Sequence, residues 1–192
     1  MNIGIYIYDD AEVLDFAGPF EVFSTARRLA QNDWQIFFIA QEDALVNARG
    51  GMMISPHYHF ANHPPLDMLL VVGGLHQAQL DKPAVINWIR QQARQVSRIA
   101  SVCTGAFLLA EAGILDGLSV TTHWEDQAAL QARYPALSVL TDTRWVEQGD
   151  VMTSGGISAG IDMSLSLVAL LAERTLAERT AVQMEYRWQA SP

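Results

Sequence analysis

Short apolar runs typical of buried strands alternate with segments of helical periodicity along almost the whole chain. Turn residues bound the runs, and the segments between them, such as 83–95 and 157–173, repeat apolar side chains every three or four positions. Successive parallel strands need a crossover connection, which is usually a helix. The alternation therefore predicts an α/β fold in which helices cover both faces of a mostly parallel sheet. The predicted strands are 2–8, 34–40, 68–72, 98–102, 119–124, 137–140, 144–147 and 151–154.

Prolines and glycines predict a helix start and a turn, and they do not mark a boundary between domains. Pro19 fits the first turn of a helix that continues to about Gln31, because the N–H that proline lacks has no helical partner there. Residues 44–60 predict a hairpin or meander around Gly50 and Gly51. The sequence contains no internal repeat, low-complexity tract or linker, so we expect a single domain over residues 1–192.

Charge and hydropathy exclude several classes of partner. The chain has a net charge of -9 without a cluster of Lys and Arg, which argues against direct binding to nucleic acid. It has no basic N-terminal region and no apolar run of about 18 residues, so we expect no membrane association and a cytoplasmic location. Charged residues make up 17% of the chain, below the roughly 25% typical of soluble proteins, and this favours a homo-oligomer.

Cys103, the single cysteine, lies where a buried strand turns into a helix. The small residues Ser101 and Gly105 stand two positions before and after it, which is the pattern of a nucleophile elbow with serine in place of the first glycine. Such a corner projects its side chain beyond the carboxyl ends of the strands, where open α/β sheets bind ligands. We expect the helix N-terminus to favour thiolate over thiol. An inert, buried cysteine is the alternative.

Five ordered motifs resemble the DJ-1/PfpI superfamily of class I glutamine-amidotransferase-like folds, over nearly the whole chain. Within it, the set is similar to the branch that contains isonitrile hydratases and the ligand-sensing domains of AraC-type regulators. The resemblance implies a flavodoxin-like three-layer sandwich, a homodimer, a small-molecule substrate, and no metal or organic cofactor. The motifs are VLDFAGPFEVF at 13–23, VVGG at 71–74, SVCTGAFLLA at 101–110, TTHW at 121–124 and TSGGISAGID at 153–162.

The resemblance makes Asp15 and the pair Gly73 and Gly74 the expected partners of the thiol. In the family, an acidic residue at position 15 hydrogen-bonds the cysteine, while a helix-capping aspartate is the alternative. A carboxyl group beside a thiolate should have a raised pKa and can donate a proton at neutral pH. The N–H groups of Gly74 and Thr104 match an oxyanion-hole-like pair, and a tight turn at the two glycines is compatible with that role.

Three further polar residues are candidates for the site. Thr104 agrees with the isonitrile-hydratase branch, whereas protease-like members carry histidine there, so we expect no peptidase activity. His123 matches a histidine near the cysteine of DJ-1 and is a candidate base or ordering group, which Asp162 could orient; a structural histidine is the alternative. His76 is expected to line the pocket and bind substrate.

Two other segments have the spacing of binding motifs but lack the necessary chemistry. His57, His59 and His63 are spaced like metal ligands, yet few carboxylates and no cysteine accompany them, so we predict no metal site. Residues 153–160 are rich in glycine but lack the lysine of a P-loop, and phosphate binding there is not expected.

The sequence favours a cysteine-dependent hydro-lyase similar to isonitrile hydratase. In that reaction Cys103 attacks the terminal carbon of an isocyanide, Asp15 supplies a proton, and water releases an N-substituted formamide. A non-catalytic small-molecule sensing module, related to the N-terminal domains of AraC-type regulators, is the alternative from another class. Hydration of glyoxal or methylglyoxal and redox sensing through thiol oxidation are the other activities that the resemblance allows.

Overall fold

The computed structural model describes residues 1–191 and confirms the α/β class predicted from the sequence. Residue 192, which the predicted single domain includes, lies outside the described residues. The strands are β1 (Asn2–Tyr6), β2 (Gln35–Ala40), β3 (Val46–Ala48), β4 (Met52–Ile54), β5 (Tyr58–His59), β6 (Met68–Val71), β7 (Arg98–Val102), β8 (Ser119–Val120), β9 (Ser138–Val139), β10 (Trp145–Gln148) and β11 (Val151–Ser154). The helices are α1 (Val13–Ala30), α2 (Gln77–Leu80), α3 (Pro83–Ala93), α4 (Gly105–Glu111), α5 (Gln127–Arg133), α6 (Ala159–Leu171) and α7 (Arg174–Gln183).

The central sheet brings the ends of β1, β6 and β7 together. Within residues 1–191 its strand order is β10-β11-β7-β6-β1-β2-β5. β10 runs antiparallel to β11, and the other neighbouring strands in this order are parallel. The order of the strands reverses at β1 and β6, which makes their carboxyl ends the switch point where open α/β sheets bind ligands.

Helices enclose the sheet in a flavodoxin-like three-layer sandwich. α1, α6 and α7 pack on one another, and α2, α3 and α4 form a separate group. Strands β1, β6 and β7 are buried almost throughout, as expected for parallel strands that are covered on both faces. Among the helices of the described residues, none has the length and hydrophobicity that a bilayer crossing requires.

The structure departs from the sequence prediction at two places and confirms a third. Pro19 lies inside α1 rather than in its first turn, because the helix begins already at Val13. The residues after 118 form only the short β8, which pairs with β9 in parallel instead of joining the central sheet. The predicted hairpin is confirmed as β3 and β4, and Gly50 and Gly51 take the positive φ angles that its turn needs, 72° and 82°.

Candidate active site

Cys103 occupies the sharp corner that the sequence predicts between β7 and α4. Its φ is +56°, in the left-handed region that residues other than glycine rarely adopt. Its N–H donates to the carbonyl oxygens of Ser154 and Gly155, both at 3.2 Å, and these bonds hold the strained backbone. A Cβ at Gly105 would collide with the carbonyl oxygen of Val71, which explains the small residue two positions after the cysteine.

Asp15 lies in the first turn of α1 and is fully buried beside the cysteine. Its Oδ2 accepts the N–H of Gly73 at 3.0 Å, and its Oδ1 accepts the N–H of Ile157 at 3.0 Å. Burial raises the pKa of the carboxyl to about 7, although the two backbone bonds and the nearby Cys103 side chain oppose the rise. The alternative of a helix-capping aspartate is wrong, since Glu12 occupies the N-cap position of α1.

The thiol of Cys103 does not have the depressed pKa that the sequence suggests. Burial, followed by the charge of Asp15, raises its pKa, and the neighbouring N–H and side chain of Thr104 lower it by less. Cys103 is 7% exposed, so the free energy lost by removing the thiolate from water exceeds the electrostatic stabilisation that the short helix α4 provides. Burial therefore opposes the preference for thiolate that the sequence predicts from the helix N-terminus.

Asp15 and Cys103 are coupled and titrate as a pair. The charge of Asp15 raises the pKa of the thiol, whereas a hydrogen bond with the Cys103 side chain lowers the pKa of the carboxyl without cancelling the effect of burial. The first proton therefore leaves the pair near pH 7 and the second leaves well above it. Between these steps the pair holds one proton and one negative charge. The form with its proton on Asp15 and its charge on Sγ contains both a proton donor and a nucleophile.

The two glycines after β6 serve the site differently from the predicted oxyanion-hole-like pair. The N–H of Gly73 donates to Asp15. The N–H of Gly74 donates to Oγ1 of Thr104 at 3.0 Å, and the same hydroxyl donates back to the carbonyl oxygen of Gly74 at 3.0 Å. The predicted N–H pair of Gly74 and Thr104 is thus wrong in this arrangement, because the hydroxyl of Thr104 occupies the Gly74 donor.

A cleft of about 190 Å³ opens onto Cys103, and its lining includes Gly74, His76, Thr104 and His123. His76 is 3% exposed, its ring centroid lies 4.4 Å from that of Phe107, and burial lowers its pKa, so it is a neutral wall of the cleft. His123 lies over Gly156, where a Cβ would collide with its ring, and its Nε2 is 3.4 Å from a carboxylate oxygen of Glu125.

Asp162 does not orient His123, contrary to the expectation from sequence. Its Oδ2 accepts the Nε of Arg144 at 2.7 Å and the hydroxyl of Tyr186 at 3.0 Å, and its Oδ1 accepts the N–H of Gln189 at 2.9 Å. Trp124, which follows His123, is 72% exposed and borders a neighbouring cavity that Arg144 also lines.

The three histidines between β4 and β6 are bonded separately. Nδ1 of His57 accepts the N–H of Phe38 at 2.9 Å, and Nε2 of His63 accepts Nε1 of Trp88 at 3.1 Å. Nδ1 of His59 accepts the N–H of Ala61 at 3.4 Å. Across residues 1–191, no three His, Cys, Asp or Glu side chains are grouped as metal ligands.

Two contacts of the site escape sequence reasoning. The hydroxyl of Thr122 donates to the carbonyl oxygen of Cys103 at 2.7 Å and ties the chain before His123 to the elbow. The N–H of Ile157 donates to Asp15, which lies 142 positions earlier in the chain. Both residues fall in motifs that carry the family resemblance, 121–124 and 153–162, but a motif does not say which backbone group points at which side chain.

The chain belongs to the DJ-1/PfpI family, whose model matches residues 1–170. It is 32% identical to the isonitrile hydratase of Pseudomonas putida over 97% of this chain and 78% of that protein. It is also 30% identical to the HTH-type transcriptional regulator GbdR of Pseudomonas aeruginosa, over 87% of this chain. The chain spans about half of that regulator, 46% of its length.

Solved structures agree with this assignment. A THiJ/PfpI family protein from Pseudomonas syringae superposes with a TM-score of 0.87 at 29% identity, over 96% of this chain and 74% of that one. DJ-1beta of Drosophila melanogaster superposes with a TM-score of 0.84 at 20% identity, over 97% of this chain and 98% of that one, a likeness in fold alone.

Proposed function

We propose that this chain hydrates an isocyanide to an N-substituted formamide, with Cys103 as nucleophile and Asp15 as proton donor. The observation that carries the proposal is the fully buried carboxyl of Asp15 beside Cys103, whose side chain lines a small cleft; burial raises the pKa of this carboxyl to about 7. The identity with an isonitrile hydratase over 97% of the chain supports the choice of substrate class.

In the first step a bond forms between Sγ of Cys103 and the terminal carbon of the isocyanide. The proton of Asp15 goes to the same carbon, so the product is a thioimidate on the cysteine and Asp15 is left as a carboxylate. The reacting form of the pair, with its proton on Asp15 and its charge on Sγ, supplies both groups at once. The N–H groups of Gly73 and Ile157 then stabilise the carboxylate.

In the second step water adds to the carbon of the thioimidate. Asp15 accepts a proton from this water and passes it to the nitrogen, which leaves a tetrahedral adduct that carries a hydroxyl group. The C–S bond then breaks, the hydroxyl proton returns to Asp15, and the formamide leaves. Cys103 is again a thiolate beside a protonated Asp15, so one water is consumed for each isocyanide and the pair is restored.

The test is incubation with cyclohexyl isocyanide and quantification of N-cyclohexylformamide by NMR. We expect turnover by the native protein and by the surface control Asp116→Asn, and loss of at least about a hundredfold in Cys103→Ala and Asp15→Asn. No formamide above the Cys103→Ala level would contradict the proposal.

A sensing module is the second candidate, and the matches to regulators support it. The segment shared with GbdR covers 87% of this chain, so the same elbow and cleft would lie within the shared part. The raised pKa of the thiol and the bonded N–H of Gly74 also suit a binding site more than an efficient catalyst. A ligand that raises the melting temperature without being consumed would favour this role.

A further inference from the structure

The loop of residues 155–158, between β11 and α6, contacts both members of the reactive pair. The N–H of Ile157 donates to Oδ1 of Asp15 at 3.0 Å. The carbonyl oxygen of Gly155 accepts the N–H of Cys103 at 3.2 Å. Gly156 lies against the ring of His123. The position of this loop therefore decides whether Asp15 keeps one of its two backbone donors.

The 155–158 loop holds a conformation that its own residues disfavour. Ile157 has a φ of +56°, and a β-branched side chain in the left-handed region is strained. Its side chain is 40% exposed, so burial of its own apolar surface compensates little. The surrounding structure must supply the restraint.

Arg144 supplies that restraint and is itself held by Asp162. Its backbone carbonyl oxygen accepts the N–H of Gly155 at 2.8 Å and holds the first residue of the loop. Its guanidinium restrains the last residue, since Nη2 lies 3.4 Å from Oγ of Ser158. Its guanidinium is paired with the fully buried carboxylate of Asp162 on α6. Tyr186 and Gln189, from the segment after α7, complete the hydrogen bonds of that carboxylate.

We propose that Asp162 and Arg144 are positioning residues for the Asp15 and Cys103 pair. Asp162 fixes the guanidinium of Arg144, Arg144 fixes the 155–158 loop, and the loop aims the N–H of Ile157 at Asp15. Neither residue touches the reacting atoms, and both act through the loop.

The 155–158 loop is one of several influences on the pair. Glu12, Cys103 and Tyr8 face the carboxyl of Asp15, while Asp126 acts on the thiol. Arg49 reaches the same region through Tyr8. We expect these groups to keep their positions when Asp162 is changed. A shift in the pH at which the pair loses its first proton would then report the loss of the Ile157 N–H as a donor.

The test measures the rate of Cys103 alkylation by iodoacetamide against pH. We expect the native rate to rise with a midpoint near 7, where the pair loses its first proton. In Asp162→Asn the new NH₂ group faces the N–H donors of Arg144, so the guanidinium is no longer fixed and the loop is released. The midpoint of the alkylation rate should then move up by about one pH unit, because Asp15 loses one charge-assisted hydrogen bond. Arg144→Gln should shift it in the same direction, and it serves as the probe if Asp162→Asn does not fold.

Arg174→Gln is the matched control. Arg174 contacts the ring of Trp188 and the carboxylate of Glu178, so the change loosens the same chain end. Trp188 donates only to the backbone carbonyl of Asp162, so the carboxylate of Asp162 keeps its contact with Arg144. We expect its midpoint to equal that of the native protein. A folded Asp162→Asn or Arg144→Gln with the native midpoint would overturn the proposal, as would an equal shift in Arg174→Gln.

The inference uses the pair on which the proposed function also rests, but its readout is separate. Alkylation needs no isocyanide. Protein that alkylates with a midpoint near 7 and makes no formamide would end the hydratase proposal and leave the role of Asp162 standing.

Discussion

Replacing Asp15 by asparagine should reverse the order of stability between native and variant protein as pH rises. The folded pKa of Asp15 is about 7 and its ordinary value is 3.8. Between these values the folded protein holds a proton that the unfolded chain has lost, so the free energy of unfolding of the native protein falls as pH rises. The asparagine side chain of the variant does not titrate, and this slope therefore disappears.

The size of the effect follows from the shift and from the bonds of the carboxyl. A rise from 3.8 to about 7 corresponds to about 4 kcal/mol, lost progressively between these pH values. Against this, an asparagine at position 15 turns its NH₂ group towards the N–H of Gly73 or Ile157, which costs about 1–3 kcal/mol at every pH. The variant should be the less stable protein near pH 4 and the more stable one near pH 8.

Urea unfolding at several pH values between about 4 and 8 measures this difference directly. Subtracting one protein from the other cancels the contributions of all other titrating groups. Over this range the folded Asp15 and Cys103 pair loses one proton in total, and the raised pKa of the thiol places the second proton above it, so Cys103 adds no further slope. Parallel stability profiles, or a native protein that gains stability relative to the variant as pH rises, would show that the pKa of Asp15 is not raised in the folded protein.

Three other changes test the surroundings of the cysteine. Gly73→Ala places a Cβ 2.6 Å from the N of Thr104 and should cost at least about 2 kcal/mol in urea unfolding, whereas Gly4→Ala meets only side-chain ends; equal costs would contradict this account. Thr104→Val leaves the N–H of Gly74 without its acceptor, while the carbonyl oxygen of Gly74 keeps the N–H of His76; we expect stability to fall by about 1–3 kcal/mol, and an unchanged urea midpoint would argue against this. Carboxylates dominate the charged lining of the cleft, so neutral iodoacetamide should alkylate Cys103 faster than anionic iodoacetate. Asp126→Asn should reduce the ratio of the two alkylation rates, and the distant Asp116→Asn should leave this ratio unchanged.

The order of the elements could be predicted because each strand and helix carries its own local pattern. The β7 strand and the corner at Cys103 are examples, since apolar residues, a small residue and a helix-periodic segment follow one another in sequence. The start of α1 is not predictable from Pro19, because proline is typical of a first turn but here lies six residues after the helix begins at Val13. The pairing of β8 with β9 depends on register between distant segments, which local patterns do not encode.

The residues of the candidate site could be predicted from the sequence, but the hydrogen bonds between them could not. Motifs pointed to Asp15 and Cys103 because parallel strands end at one edge of the sheet. The raised pKa of Cys103 was not predicted because desolvation depends on how completely the folded chain covers the thiol. Nor could the sequence show that the N–H of Ile157 donates to Asp15, because the two residues are 142 positions apart.

The sharing of one proton between Asp15 and Cys103 at neutral pH can be measured by the rate of Cys103 alkylation against pH in the native protein and in Asp15→Asn. We expect a native rise centred near pH 7 that is absent from Asp15→Asn. A native rate that rises only at or above pH 8.5, the ordinary pKa of a cysteine, or a rise near 7 that survives in Asp15→Asn, would contradict it.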